Sequence, residues 1–257
     1  ATPSAVIAIR NISKTFGTNA VLKNISAEFH PGKVNFIIGR SGSGKSVMTK
    51  CMVGLMGVDE GEIDYDGRIF NLLDKEGKKE IRQEMGMLFQ GAALFTSMTV
   101  EENIMFPLKM LGNMNKGEMK DRVNESLKRV NLEGKNSLYP SELSGGMQKR
   151  TGIARAIALN PKYLFCDEPN SGLDPQTSIV IDNLIRDLTH EFQSTTIVIS
   201  HDMNSVLETG DHINFIYQGE LSWRGNKHEI LHSENEALNN FVFPSKFMQQ
   251  IREKLRG

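Results

Sequence analysis

Short apolar runs alternate along this chain with longer stretches in which apolar residues recur every three or four positions. The short runs predict strands over residues 6–12, 21–29, 34–38, 61–64, 68–72, 85–89, 163–167, 195–200 and 212–218. The longer spacing predicts helices over residues 46–53, 100–108, 116–130, 145–159 and 176–191. A polar run over 74–84 favours a loop and a short helix, and residues 245–255 favour a terminal helix. Strands that alternate with helices indicate an α/β fold with a mainly parallel sheet and helices on its faces.

The pattern also predicts how the chain is divided. Residues 1–257 are expected to form one domain, whose α/β core comprises residues 5–90 and 161–225. Residues 91–160 carry only helical patterns, which predicts a helical subdomain inserted into that core, and residues 226–257 are expected to form a helical tail. Asp66-Gly67 separates two short strands, as in a hairpin, so we also expect an N-terminal antiparallel β layer.

Composition narrows the function classes. Thirty basic and thirty-one acidic residues leave a formal charge of -1, which does not favour nucleic acid or anionic lipid as a partner. No stretch approaches the roughly eighteen apolar residues of a spanning helix, and the first ten residues do not resemble a secretory signal. Cys51 and Cys166 lie in apolar stretches, which predicts buried reduced thiols. We therefore expect a soluble cytoplasmic protein that reaches a membrane only through a partner.

A phosphate-binding loop is predicted between the strand at 34–38 and the helix at 46–53. Its sequence matches G-x-x-x-x-G-K-[ST], in which backbone N–H groups turn inward on phosphates, Lys45 reaches the outer phosphates and the Ser46 hydroxyl binds magnesium. A flexible Gly/Ser turn is the alternative interpretation. The candidate nucleotide-binding residues are Gly39, Arg40, Ser41, Gly42, Ser43, Gly44, Lys45, Ser46 and Val47.

Two carboxylates, Asp167 and Glu168, follow the apolar strand predicted over 163–167. Charge at the end of a buried strand is costly unless a metal or a reaction uses it. We expect Asp167 to hold magnesium and Glu168 to polarise the water that attacks the γ-phosphate. The alternative is a pair of carboxylates that simply face solvent.

A second anion-binding helix start is predicted at Leu-Ser-Gly-Gly-Met, residues 143–147. A simple helix-capping turn is the alternative. With this motif the chain, over about residues 5–230, resembles the nucleotide-binding subunits of ABC transporters. The resemblance implies a P-loop NTPase core, ATP and Mg²⁺ as ligands, and a working ATPase. It also implies a head-to-tail homodimer in which Ser144, Gly145, Gly146 and Met147 of one copy bind the ATP held by the other, with two ATP at the interface.

The resemblance assigns four further positions. Phe16 corresponds to the aromatic residue that stacks on adenine, Gln90 to the glutamine that contacts magnesium and the attacking water, Asp174 to the residue that couples the two sites, and His201 to the switch histidine on the γ-phosphate. Each has a plainer alternative. Phe16 could be a core or turn aromatic, Gln90 an ordinary strand-end residue, Asp174 a helix cap, and His201 a solvated or capping side chain. Asn170 stands where many members carry threonine and receives no role.

Residues 89–108 and 143–147 resemble more closely the ATPases of Mla-type bacterial phospholipid transport systems. This resemblance implies transport of phospholipid between inner and outer membrane, powered from the cytoplasmic face of the bacterial inner membrane. The partners implied are integral membrane permease subunits, whose coupling helix docks after Gln90, a small cytoplasmic regulatory subunit and a substrate-binding subunit. The alternatives are an ABC transporter for another substrate, a soluble ABC ATPase of DNA repair or translation, and a non-enzymatic regulatory module, against which Glu168 argues.

Two apolar sets have no assigned role. The methionines around residues 85–119 are expected mainly to fill the core, with an adaptable docking groove as the alternative: Met85, Met87, Met98, Met105, Met110, Met114 and Met119. The aromatic and aliphatic residues of the tail are expected to pack against another surface: Phe241, Phe243, Phe247 and Ile251.

Overall fold

The computed structural model describes residues 6–256, except for the side chains of residues 251, 255 and 256, so the expectation for Ile251 lies outside it. The strands are β1 (Ile7–Phe16), β2 (Asn19–Phe29), β3 (Lys33–Ile38), β4 (Glu60–Tyr65), β5 (Arg68–Ile69), β6 (Met85–Leu88), β7 (Tyr163–Asp167), β8 (Thr195–Ile199), β9 (His212–Tyr217) and β10 (Glu220–Gly225). The helices are α1 (Lys45–Met52), α2 (Lys75–Gln83), α3 (Val100–Leu111), α4 (Lys116–Arg129), α5 (Gly145–Ile157), α6 (Pro175–Phe192), α7 (Met203–Thr209), α8 (Glu229–His232), α9 (Glu236–Val242) and α10 (Lys246–Arg256).

A four-stranded antiparallel sheet, in the order β2-β1-β4-β5, forms the first layer. Asp66 and Gly67 both have positive φ angles, as a tight two-residue hairpin turn requires, and the predicted hairpin is confirmed. The prediction of a strand as far as residue 72 is wrong, because β5 ends at Ile69. There the Asn71 side chain bonds the backbone of β4, at Ile63 N and Gly61 O, and residues 70–72 turn into a short 3₁₀ helix.

A six-stranded sheet, in the order β10-β9-β3-β8-β7-β6, forms the second layer. All neighbouring pairs are parallel except β9 and β10, so the predicted mainly parallel sheet is confirmed. In a parallel sheet the carboxyl ends of the strands meet at one edge. The loops after β3, β7 and β8, which carry the predicted nucleotide-binding residues, therefore lie side by side.

Side chains alternate between two hydrophobic cores on the two faces of this sheet, as the two-residue period of a strand requires. On β7, Tyr163 and Phe165 face the core shared with the antiparallel layer, whereas Leu164 and Cys166 face the core shared with the helices. Cys51 and Cys166 are both free and buried, which confirms the predicted reduced thiols.

Helices α3, α4 and α5 contact one another, and α5 also packs against β6. Gly86 of β6 permits this contact, because a Cβ there would lie 2.1 Å from the Ala156 carbonyl oxygen. Helix α3 runs three residues beyond the predicted end at 108 and contains Pro107. The methionines divide between environments: Met105 is buried, Met114 and Met119 pack partly against the core, and Met110 is exposed.

Two elements were missed by the sequence patterns. Strand β10 is an edge strand with no fully buried side chain, so it lacks the alternation that identifies a strand. Helix α7 is only seven residues long, which is too short for a helical period, although Asp202 caps its start by accepting a hydrogen bond from Asn204 N.

The tail packs back onto the parallel sheet. The Phe241 ring lies 5.4 Å from that of Phe215, and the Arg252 guanidinium lies 5.1 Å from the Phe243 ring and donates to the carbonyl oxygens of Leu231 and Ser233. The packing expected for Phe241 and Phe243 is confirmed, whereas Phe247 is 70% exposed on this chain. Within residues 6–256, none of the helices has both the length and the apolar character needed to cross a bilayer.

Candidate nucleotide-binding site

The loop after β3 has a backbone that only glycine can follow at two points. A Cβ on Gly39 would lie 2.3 Å from the Ile216 carbonyl oxygen, and one on Gly44 would lie 2.9 Å from that of Val21. Gly42 also has a positive φ of 77°. Gly44 is the N-cap of α1, and none of the described side chains caps this helix start. The first N–H groups of α1 are therefore available to an anion at the loop.

Lys45, at the start of α1, points into this loop. Its Nζ donates to the carbonyl oxygens of Gly39, at 2.7 Å, and Arg40, at 3.0 Å. Burial lowers the pKa of Lys45, while the Glu168 and Asp167 carboxylates act in the opposite direction. A desolvated ammonium group beside a ring of backbone donors can bind phosphate oxygens strongly.

The carboxyl end of β7 brings the two carboxylates beside the loop. Burial and the charge of Glu168 raise the pKa of Asp167, against the lowering effect of Lys45, Lys50 and Lys149. Glu168 has a φ of 46°, which is unusual for a residue with a Cβ and is often found at functional sites. Its backbone is held from both sides, since its N–H donates to Ile199 O at 2.9 Å and its carbonyl accepts from Lys149 Nζ at 3.2 Å.

His201 lies directly against Glu168. Its Nδ1 is 2.8 Å from Glu168 Oε2, and its side chain is 69% exposed while that of Glu168 is 15% exposed. The histidine therefore covers the carboxylate on the solvent side. A carboxylate beside a bound water can accept a proton from it, and an imidazole in contact with that carboxylate can hold its orientation.

These groups line one open cleft of about 750 Å³. Its walls include the loop residues Gly39, Arg40, Ser41, Gly42, Gly44, Lys45, Ser46 and Val47, and the residues Gln90, Asp167, Glu168 and His201. Ser46, Gln90 and Asp167 offer a hydroxyl, an amide and a carboxylate oxygen, which are the hard donors that Mg²⁺ prefers. The residues present thus fit a magnesium nucleotide.

A second cleft, of about 440 Å³, contains Asp174 and three residues predicted to bind the ATP of the other copy, Ser144, Gly145 and Gly146, which we call the signature residues. It shares no lining residue with the first. Ser144 Oγ accepts from Met147 N at 3.3 Å, and Asp174 accepts from Thr177 N at 3.0 Å, so both residues cap helices as their plainer interpretations stated. Hydrogen bonds from the hydroxyl and backbone of Thr177 lower the pKa of Asp174.

Three predicted residues lie outside both sets of cleft-lining residues. Phe16 is 45% exposed at the end of β1, with Lys14 Nζ 5.7 Å from its ring centroid. Ser43 is buried beneath the loop, and its Oγ has no hydrogen-bond partner among the described residues. Met147 packs partly against the helical core. Their predicted contacts with a nucleotide remain predictions.

The sequence patterns did not predict a role for one residue that lines the larger cleft and one that lies near Glu168 in the chain. Phe241 of α9 lines the larger cleft, although it lies far along the chain from every motif, and no sequence signal places it there. Asn170, which received no role, is buried and donates from Nδ2 to Asp182 Oδ1 and Ser205 Oγ, both at 2.8 Å. Its only sequence signal was its position between the carboxylates at 167–168 and the loop at 171–174.

The segment that follows Gln90 is held by one arginine of α5. Gly91, Ala92 and Ala93 all have positive φ angles, of 75°, 64° and 46°. The Arg155 guanidinium donates to the carbonyl oxygens of Ala92, at 2.7 Å, and Ala93, at 3.0 Å. These bonds stabilise a backbone conformation that alanine rarely adopts.

Comparisons with known proteins show the family to which this chain belongs. The family model described as "ABC transporter" matches residues 22–171. The chain is 34% identical over 238 residues to the probable ribonucleotide transport ATP-binding protein mkl of Mycobacterium leprae (strain TN), covering 92% of this chain and 68% of that protein. It is 36% identical over 258 residues to the methionine import ATP-binding protein MetN of Desulfitobacterium hafniense (strain Y51), covering 97% and 76%.

Solved structures agree with this placement. A dimeric, post-hydrolysis structure of the ATP-binding cassette MJ0796 bound to ADP and Pi has a TM-score of 0.78 at 33% identity, covering 86% of this chain and 98% of the cassette. The cbiO1 structure from Clostridium perfringens, part of the ABC transporter complex cbiONQ, has a TM-score of 0.83 at 25% identity, covering 99% and 100%. This protein therefore belongs to the ABC transporter family, as an ATP-binding domain that binds ATP with Mg²⁺ and hydrolyses it.

Proposed function

We propose that this chain works as a head-to-tail homodimer that powers a membrane permease, with one ATP bound between Lys45 of one copy and Ser144 of the other. The observation that supports it most is the separation of the two motifs. The phosphate loop and the signature residues line different clefts of the same chain, so one copy alone does not surround a nucleotide. The similar cassette MJ0796 has a dimeric structure bound to ADP and Pi, which supports the proposal of a dimer.

Within each site we assign the reacting roles to the residues at the carboxyl edge of the sheet. Glu168 acts as general base on the attacking water, and His201, 2.8 Å away, keeps that carboxylate oriented and contacts the γ-phosphate. Lys45 and the α1 N-terminus bind the phosphates. Ser46, Asp167 and Gln90 would hold Mg²⁺, which neutralises phosphate charge when bound. Phe16, Met147 and Asp174 keep the roles that the family resemblance implies.

A groove of about 240 Å³ supports docking of a permease. Met85, Met87, Phe89, Phe95, Phe106, Pro107 and Leu111 give it mainly apolar walls, and Arg155 adds one cation. It lies beside Gln90, so a helix seated there adjoins the nucleotide cleft. We propose peripheral attachment through this groove, at the cytoplasmic face of the membrane that holds the permease. A small regulatory subunit and a substrate-binding subunit remain further proposals.

For the cargo, the relatives favour a substrate other than phospholipid. The named relatives at 34% and 36% identity transport ribonucleotides and import methionine, according to their names. The phospholipid hypothesis depends only on the resemblance of residues 89–108 and 143–147 to Mla-type ATPases, which no relative reported above supports. We therefore propose the general role, ATPase of an ABC transporter, with import of a small polar solute as the leading cargo hypothesis and phospholipid as the second.

Glu168→Gln tests the proposed site and the dimer together. The substitution keeps the shape of the side chain but removes the base, so we expect hydrolysis to fall by about 10²- to 10⁴-fold while ATP still binds. The variant should then accumulate as an ATP-bound dimer in sedimentation experiments. Glu220→Gln, at an exposed position of β10, is the matched control. A monomeric Glu168→Gln protein in saturating Mg-ATP, alone and with its permease, would contradict the proposal.

The cargo hypotheses are separated by the permease. The chain is purified from its own cells with its membrane partners and reconstituted in vesicles. We then measure whether ribonucleotides, methionine or phospholipid stimulate hydrolysis of ATP. Stimulation by phospholipid alone would return the second hypothesis to first place.

A further inference from the structure

One carboxylate on α6 joins the two loops that carry the proposed catalytic pair. Asp182 Oδ1 accepts from Asn170 Nδ2 at 2.8 Å, and Asp182 Oδ2 accepts from the Ser205 hydroxyl at 2.7 Å. Asn170 Nδ2 also donates to Ser205 Oγ at 2.8 Å. The three side chains therefore form a closed triangle of hydrogen bonds.

Two members of the triangle are sheltered from water, whereas Asp182 is partly buried in the wall of a separate open cleft. Asn170 is 9% exposed and Ser205 is 3% exposed. Burial raises the pKa of Asp182, and the hydrogen bonds from Ser205 and Asn170 act against that rise. Hydrogen bonds to a charged group in such a place are strong and directional, so they define where the two loops lie.

Two members of the triangle lie close in the chain to the proposed catalytic pair. Asn170 comes two residues after Glu168, and Ser205 comes four residues after His201, on the first turn of α7. Glu168 and His201 form one contact between these two segments, at 2.8 Å, and the segments are joined a second time at Asp182. The loop of His201 is itself stiffened, because Asp202 N donates to Ser200 Oγ at 3.0 Å.

We propose that Asp182 is a positioning residue that sets the placement of Glu168 relative to His201 for hydrolysis. The inference rests on the roles proposed above for Glu168 and His201. Asp182 is not among the residues that line the nucleotide cleft, so it acts through Asn170 and Ser205. Because α6 begins at Pro175, directly after Asp174 of the second cleft, the same helix also connects the proposed dimer interface to the catalytic pair.

Asp182→Asn tests this role, since the new amide keeps the shape but replaces one acceptor oxygen with a donor. We expect kcat to fall by about tenfold to a hundredfold, because displacing a catalytic group by about 1 Å can cost up to about a hundredfold. KM for ATP should stay close to the parent value, since the phosphate loop is untouched. Asp187→Asn, an exposed position on the same helix, is the matched control.

The exchange variant Asn170→Asp/Asp182→Asn separates positioning from general damage. It reverses the amide–carboxylate pair, and the Ser205 hydroxyl can then donate to the carboxylate at position 170 and accept from the amide at position 182. We expect its kcat to exceed that of both single variants. Should Asp182→Asn fail to fold, Ser205→Ala takes its place, with a smaller expected fall in kcat at an unchanged KM.

Each possible outcome of these experiments either supports or overturns the positioning role of Asp182. A fall in kcat alone, with recovery in the exchange variant, supports the positioning role. A parent-like kcat in Asp182→Asn, a change confined to KM, or an exchange variant no better than the single variants overturns it. Glu168→Gln in the same assay tests the proposed catalytic site separately from the role of Asp182. If Glu168→Gln hydrolyses ATP at the parent rate, the proposed site itself is wrong, whatever the result for Asp182→Asn.

Discussion

At the residue scale, three consecutive side chains at the end of β7 have different environments because the strand alternates between two faces. Cys166 is enclosed by the helical core, Asp167 lies at the cleft, and Glu168 leaves the strand with a positive φ. Alternation separates Cys166 from Asp167, and the end of the strand allows Glu168 to turn toward the cleft. Only the carboxylates reach the cleft, and the thiol does not.

Thiol reactivity measures this enclosure. Burial raises the pKa of Cys166 to about 12 and also raises the pKa of Cys51. Because the thiolate is the reactive form, we expect neither thiol of the folded protein to react with a disulfide reagent at pH 8, and both to react in denaturant. Rapid modification of Cys166 in the native protein would contradict its burial.

The raised pKa of Cys166 also predicts that the protein loses stability at high pH. Above pH 9 an unfolded chain ionises its thiol while folded Cys166 keeps its proton, so this residue's contribution to the free energy of unfolding is present below pH 9 and is lost between pH 9 and about pH 12. The difference in unfolding free energy between the parent and Cys166→Ala should therefore shrink across that range. Denaturant titrations of both proteins measure it.

Lys45→Ala should remove nucleotide binding without unfolding the protein, because the hydrogen bonds of the Lys45 ammonium to described residues all go to carbonyl oxygens of its own loop. ATP at a hundred times its Kd stabilises a binding protein by about 2.7 kcal/mol, which raises the melting temperature. We expect that rise in the parent and in Lys50→Ala, an exposed position on the same helix, and not in Lys45→Ala. An undiminished rise in Lys45→Ala would contradict the phosphate-binding role.

At the element scale, helix starts were the most predictable features. Helix α3 begins with a capping box, in which Thr99 Oγ1 accepts from Glu102 N at 3.3 Å and Glu102 Oε2 accepts from Thr99 N at 2.8 Å. The T-x-x-E spacing is a known signature of such a start. The apolar spacing of β10 and α7 did not predict these elements. Strand β10 lies at the edge of the sheet and helix α7 is short, so only the folded chain reveals them.

Thr99→Ala removes half of this capping box. We expect it to lower the free energy of unfolding by about 1 kcal/mol, the usual cost of losing a threonine N-cap. Thr96→Ala, exposed three residues earlier, is the control and should change stability little. Equal effects of the two substitutions in denaturant titrations would show that the cap is unimportant.

At the scale of the whole molecule, activity should follow assembly. If each site needs residues from two copies, hydrolysis per chain rises with protein concentration and levels off when all chains are dimers. Measuring the rate and the sedimentation of the same dilution series tests this expectation, because the rate should track the dimer fraction. Full activity in a sample that sediments as a monomer would contradict a shared site.

The sequence predicted the fold of the whole molecule better than the geometry of its site. The motifs around Lys45, Glu168 and Ser144 identified the cleft-forming loops because short-range patterns encode them. They could not reveal that Asn170 and Ser205 meet at one carboxylate, since these contacts join segments distant in the chain. The place of Phe241 in the cleft could not be predicted either, because Phe241 reaches the cleft through the packing of the tail against Phe215.

The two bonds that Arg155 makes to the segment after Gln90 have a consequence for transport. Arg155 lines the groove proposed for the permease and belongs to α5, whose first residues adjoin Ser144. In the proposed dimer, pressure on that groove would reach the near nucleotide through Gln90 and the far one through α5. One half of a permease would then influence ATP hydrolysis at both sites. A permease with two different halves could therefore still trigger hydrolysis at both sites together.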